Sequence, residues 1–236
     1  MFLPLHDRNT LRYIPFQTTT LILILLNVGV FIYQQTLTEE SWGAFATIGG
    51  FIPASLLMSG GATIALPPGW EFLPPEITLI TYMFLHGDFW HLLGNMVFLW
   101  VFGDNVEDAM GHFKFLIFYL ICGIAAGIAH GIADPGSAIP LVGASGAIAG
   151  LIAAYVILHP RVRIWVLILG RIPLPLPAYL VLALWLATQI LFIYFGDESG
   201  TAWWAHIGGF VAGVALVAPF KRADVPLFGR KTSTLS

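Results

Sequence analysis

The residues of this chain with types suited to chemistry are polar side chains set in apolar runs: Asn27, His86, His91, Asn95, Ser145, Gln189 and His206. Inside a bilayer each such group needs a partner or water, so it marks a functional site by default. Serine and histidine together are the types of nucleophilic catalysis, in which an imidazole takes the proton of a hydroxyl. Ser145 sits in Gly143-Ala144-Ser145-Gly146, which by itself more often serves close helix packing, with Gly146 and Gly150 as a GxxxG pair. It is no hydrolase elbow, because GxSxG needs glycine where Ala147 stands and a strand before it. His91 and Asn95 are four residues apart, hence on one helical face. His206 is followed by Gly209 and Gly213 at i+3 and i+7. That bare face matches Gly146/Gly150, and packing the two would bring His206 toward Ser145.

The elements that must position these residues are membrane helices. Of 236 residues, 58% are hydrophobic and 10% charged, against about 25% charged in a soluble domain, which excludes an ordinary soluble enzyme. Ten Lys+Arg against thirteen Asp+Glu give a net charge of −3, too little positive charge to bind nucleic acid. The single Cys122 excludes a disulfide framework or a CxxC motif, and no HExxH appears. Neither a metal nor a cofactor is expected. Apolar runs of near-spanning length cover about Gln17–Gln35, Phe89–Gly103, Lys114–Ile132, Gly143–His159, Leu174–Phe195 and Trp203–Phe220. The first reads as a retained anchor, since about 20 residues precede its apolar core and no compelling small-x-small cleavage site follows closely.

With six crossings, all ten basic residues fall on one side: Arg8, Arg12, Lys114, Arg161, Arg163, Arg171, Lys221, Arg222, Arg230 and Lys231. By the positive-inside rule both termini are cytoplasmic. The expected division is an N-terminal segment 1–16, a membrane domain 17–220 and a tail 221–236. Thr36 to Glu76 forms a long first outer loop whose piece Ile48–Met58 is expected in the interface or dipping into the membrane. Pro173, Pro175 and Pro177 read as the start of the fifth helix. The class is therefore an all-α polytopic membrane protein.

Depth gathers the polar groups. From an inner boundary near His159, Ser145 lies about 21 Å up at 1.5 Å per residue, short of the ~30 Å of hydrocarbon. His206 lies about 21 Å above Phe220, Asn95 roughly 13–20 Å and His91 roughly 19–26 Å above the inner end of the second span. Four polar groups from three helices thus share one layer in the outer half. Irregular backbone at that depth requires protein or a water-filled cavity around it.

Together these pieces resemble the rhomboid family of intramembrane serine proteases. The matching stretches are Phe84-Leu85-His86, His91-Leu92-Leu93-Gly94-Asn95-Met96, Gly143-Ala144-Ser145-Gly146-Ala147 and Ala205-His206-Ile207-Gly208-Gly209 with Gly213, in family order from about Thr78 to Ala218. The resemblance implies Ser145 as nucleophile and His206 as its base. It also implies His91 and Asn95 around the oxyanion, and His86 near the active-site mouth. Backbone N–H groups at the start of the fourth helix, those of Ser145 and Gly146, would join them. With no Asp or Glu in the fourth or sixth span, a dyad is expected, with His206 neutral at rest. Two positions depart from the family pattern. Ile77-Thr78 stand where members often carry Trp-Arg, and Ala149 stands where many place an aromatic against the catalytic histidine.

The implied substrates are single-span membrane proteins with small or helix-breaking residues near the outer end, reached laterally past the fifth helix. The bilayer is the other partner, and no oligomeric state is implied. A bacterial inner membrane is the expected location, with the site open to the outer side. A rhomboid-like protein that binds membrane clients without cutting them is the alternative. A transporter would need intramembrane charges or inverted repeats that the spans lack.

Overall fold

The computed structural model describes residues 2–7, 9–58, 71–168, 172–196 and 201–229. Arg8, Arg171, Asp197, Glu198, Arg230 and Lys231, with the rest of the tail, lie outside the described residues. In chain order the elements are β1 (Phe2–Asp7), α1 (Thr18–Gln34), α2 (Glu39–Gly49), α3 (Pro53–Leu57), α4 (Pro75–Thr81), α5 (Phe89–Met110), α6 (His112–Ala133), α7 (Ser145–Leu158), β2 (Arg163–Ile168), β3 (Ile172–Pro177), α8 (Ala178–Phe195) and α9 (Trp203–Phe220). Each of the apolar runs contains a helix: α1, α5, α6, α7, α8 and α9. Among the described residues α6, α8 and α9 are long and apolar enough to cross a membrane, and α1 and α7 are shorter apolar helices.

The bundle is built around α7. Every residue from Gly146 to Tyr155 is buried, so this helix carries no polar stripe and is walled on all sides, chiefly by α5, α6 and α9. Its small residues set the spacing. A Cβ on Gly209 or Gly213 would collide with the carbonyl oxygens of Gly146 and Gly150, and one on Gly150 would lie 2.5 Å from Cys122 Sγ and 2.8 Å from the Gly209 carbonyl oxygen. Backbone-to-backbone contact of α7 and α9 thus runs past Gly146, Gly150, Gly209 and Gly213. Cys122 is a buried packing residue.

α5 starts where its cap dictates. Asp88 Oδ1 accepts from the N–H groups of Trp90 (2.7 Å) and His91 (2.9 Å), a side-chain N-cap. It runs on to Met110, beyond the expected end near Gly103, because its last turns bury carboxylates that serve other elements. Glu107 accepts from the N–H groups of Thr19 and Thr20, both 2.8 Å, and from Thr20 Oγ1 at 2.7 Å. Gln17 offers α1 no side-chain cap, so Glu107 caps that helix from another element. Asp108 accepts from the N–H groups of Arg12, Tyr13 and Ile14.

The all-α expectation is corrected by a three-stranded sheet at this same end, in the order β1-β2-β3 and antiparallel throughout. Arg163–Ile168 is rich in β-branched and aromatic residues, and Ile164 and Val166 bury one face of it. Pro173 and Pro175 lie in β3 and not in a helix start, while Pro177 ends β3 and is the N-cap residue of α8. At every second position of an edge strand they leave the paired side intact and remove donors from the free edge. The Asp7 carboxylate accepts from Tyr155 Oη at 2.5 Å, tying β1 to α7. Burial pushes its carboxyl above the usual range, partly offset by that hydrogen bond.

Ile48–Met58 packs its first half on the protein: Phe51 and Ile52 are buried, Phe51 forms an isolated bridge with Leu141, and the Phe51 ring packs at Gly127 and Gly131 of α6, while Leu57 and Met58 are exposed.

Candidate active site

The backbone leading into α7 is shaped by what surrounds it. Gly143 has φ +123°, a region L side chains rarely adopt. A Cβ there would also lie 2.7 Å from the His91 ring and 3.8 Å from Asn95 Nδ2. Glycine is therefore required twice over, and its N–H donates to the Tyr82 carbonyl at 2.9 Å. No side chain caps α7, so Ser145 and Gly146 stand at the uncapped, positive end of a helix.

The glycine contact between α7 and α9 carries His206 onto Ser145. His206 Nε2 lies 2.9 Å from Ser145 Oγ. On its other side, Nδ1 lies 2.6 Å from Gln189 Oε1 of α8. The network fixes which atoms donate. Gln189 Nε2 donates to the Trp185 carbonyl and to Thr188 Oγ1, both at 3.0 Å, which leaves Oε1 as the acceptor and assigns the imidazole proton to Nδ1. The lone pair of Nε2 then faces the serine hydroxyl. The His206 ring is also held by Trp185, tilted 37° with centroids 5.9 Å apart, and edge-on by Trp203 at 5.7 Å.

His91 and Asn95 reach the same place from α5, flanking Gly143 as described. Asn95 is buried, and its Nδ2 has no hydrogen-bond partner among the described residues. His86 is fully buried, with neither ring nitrogen partnered among the described residues, and its ring meets that of His91 edge-on at 5.1 Å. Gln34 of α1 clamps its backbone: Nε2 donates to the His86 carbonyl at 2.8 Å, and the His86 N–H donates to Oε1 at 3.3 Å. The structure thus brings together Ser145, His206, His91, Asn95, His86 and Gly146. Among the described residues Asn27 bonds within its own helix, to the Leu23 carbonyl.

Sequence reasoning singled out Gln189 as a polar residue in a span but gave it no part in the site, and it passed over Trp185, Trp203 and Gln34. The signal for three of them was present. Trp185 and Gln189 share a helical face four apart, and Trp203 precedes His206 by three. With Ala149 too small to pack on the histidine, α8 and the head of α9 supply the aromatic walls. Gln34 had no such signal, because its partner is backbone.

The family model described as Rhomboid domain matches residues 75–223. The rhomboid protease AarA of Providencia stuartii is 31% identical over 218 residues, covering 84% of this chain and 70% of its own. Rhomboid-like protein 11, chloroplastic, of Arabidopsis thaliana is 36% identical over 102 residues, 42% of this chain and 36% of the relative. Rhomboid protein 1, mitochondrial, of Saccharomyces cerevisiae is 28% identical over 169 residues, 63% and 46% of the two chains. The chain spans less than half the length of these two organellar relatives and the greater part of the Providencia protein. A domain match over more than half of the chain, ordered around a Ser145–His206 pair in a bundle of apolar helices, has one reading: this chain belongs to the rhomboid family.

Proposed function

We propose that the protein is an intramembrane serine endopeptidase that cuts membrane-anchored substrates in or near their transmembrane segment by a Ser145–His206 dyad. The observation that carries this is the 2.9 Å approach of His206 Nε2 to Ser145 Oγ. In the reaction Ser145 Oγ attacks the scissile carbonyl while its proton passes to Nε2. The imidazolium gives that proton to the leaving amine, and water then releases the acyl group by the reverse relay.

The developing oxyanion is met by the backbone N–H groups of Ser145 and Gly146 and by side-chain donors of Asn95 and His91. Asn95 supports this most directly. A buried N–H with no partner is destabilising by about 1–3 kcal/mol, and an oxyanion beside Gly143 would satisfy it only during the reaction. His86 lies at the mouth of the same site.

A peptide bond inside a stable helix is not presented to Ser145, so the substrates are single-span proteins with small or helix-breaking residues near the outer end. They arrive past α8, most of whose side chains face outward. The membrane domain is 17–220 with six spans, both termini cytoplasmic, in a bacterial inner membrane with the site opening outward. Coverage of most of the chain by the Providencia relative supports that location over the partial organellar matches.

The test is cleavage of a single-span test substrate by the purified full chain in detergent. Wild type cleaves, and Ser145→Ala and His206→Ala each reduce turnover to background. Cleavage surviving either change overturns the dyad. A folded wild type inert toward several substrates supports the client-binding alternative.

A further inference from the structure

The His206 environment contains one polar contact that a two-residue mechanism leaves unused. Gln189 is 3% exposed. Among the described residues of α8 only Ala178, Val181, Leu182 and Gln189 are buried. Beyond Leu182 the helix presents exposed apolar side chains such as Leu184, Ile190 and Leu191, and Gln189 is its one buried residue there, beside the half-buried Trp185 that packs on His206. An amide is expensive to bury in so apolar a setting unless its hydrogen bonds are met. Both ends of this amide are met, and one of them by the imidazole that faces the serine.

We propose that Gln189 is a positioning residue for catalysis: by accepting the Nδ1 proton of His206 it holds the tautomer and rotamer in which Nε2 can deprotonate Ser145, and so makes competence depend on α8 being seated. It takes the place that a carboxylate occupies in a serine triad, but as a neutral acceptor. A buried carboxylate in the bundle would need its own charge compensation, whereas the amide satisfies itself with its donors on the Trp185 carbonyl and Thr188. Because α8 carries the acceptor and little else inward, any outward displacement of its upper half withdraws the acceptor from His206. The inference rests on the protease reading above.

Three measurements on the full chain test it. In detergent, with a single-span test substrate, Gln189→Leu lowers kcat about tenfold, the factor one neutral hydrogen bond carries, with KM unchanged. Gln189→Glu, which keeps an acceptor at the same reach but loses the amide donors to the Trp185 carbonyl and Thr188 and adds an uncompensated charge, restores part of the lost kcat. Labelling of Ser145 by a fluorophosphonate probe slows in Gln189→Leu in parallel with kcat. Nitrogen-15 NMR of wild-type His206 reports the proton on Nδ1, and the Gln189→Leu spectrum reports a mixture. A Gln189→Leu protein with unchanged kcat and labelling rate, or a wild-type His206 protonated on Nε2, overturns the proposal. The NMR measurement decides the matter even if the leucine variant fails to fold. A wild type that neither cleaves nor labels removes the protease reading itself, an outcome distinct from both.

Discussion

At the scale of single residues, the site is a set of polar groups whose hydrogen bonds are made unevenly. His206 has a partner on each nitrogen, so it is locked. Asn95 Nδ2 and both nitrogens of His86 have none among the described residues, so donors sit poised in a buried place. The first condition is what a proton shuttle requires; the second is what a site for a transient anion requires, since a donor satisfied in the resting state gains nothing when charge develops. On the proposed mechanism Asn95→Ala therefore removes an interaction made in the transition state. The expected result is a loss of kcat of about 10²- to 10³-fold with KM little changed and thermal stability retained or raised, because an unpaired buried amide leaves with the substitution. Steady-state kinetics with a single-span substrate and a melting curve in detergent check both halves. A fall in Tm with kcat intact would assign Asn95 to packing alone.

At the scale of elements, what could be read in the chain is what neighbouring residues decide. The helical runs follow from uninterrupted apolar stretches, the start of α5 from Asp88, and the α7–α9 contact from two glycine pairs in matching positions. The remainder depends on partners remote in sequence. β1 pairs with β2 across most of the chain, and neither strand's short apolar pattern distinguishes it from a helix end. Glu107 and Asp108 read as the polar margin of a span, yet they are buried because the N–H groups they serve belong to α1 and to the stretch Arg12–Ile14. The hold on His206 was legible only in part: Trp185 and Gln189 share a helical face, but Gln189 and His206 sit on different helices and meet only once α8 packs. The Glu107 contact gives an expectation at this scale. Glu107→Ala orphans the first N–H groups of α1, and at about 1–3 kcal/mol for each buried donor left unsatisfied the loss is several kcal/mol, enough to unseat that helix. Thermal unfolding in detergent is expected to show a marked drop in Tm. Glu107→Gln, which keeps an acceptor for only part of the set, falls between the alanine variant and wild type.

At the scale of the whole molecule, one end of the bundle gathers the described basic residues and the other does not. The Arg12 N–H donates to Asp108 near the end of α5, and the Arg222 N–H donates to the Ala109 carbonyl beside it. The described parts of the N- and C-terminal segments therefore meet at one end. Arg161 and Arg163 follow α7 at that end, where the sheet joins β1 to the same turns of α5. Lys114 opens α6 there as well. The opposite end carries Asp88 and Asp134, at the start of α5 and after α6. Segregation of this kind is the pattern that fixes orientation in a bilayer, and it is tested with single cysteines at exposed positions. Cys122 is fully buried and adds little background to labelling by a membrane-impermeant maleimide. Asp134→Cys is expected to label in intact cells, whereas Thr10→Cys and Arg161→Cys label only after the membrane is opened. Labelling of Thr10→Cys from outside would reverse the orientation. Labelling of Thr10→Cys and Arg161→Cys from opposite sides would break the six-span arrangement, because α1, α5, α6 and α7 between them make an even number of crossings.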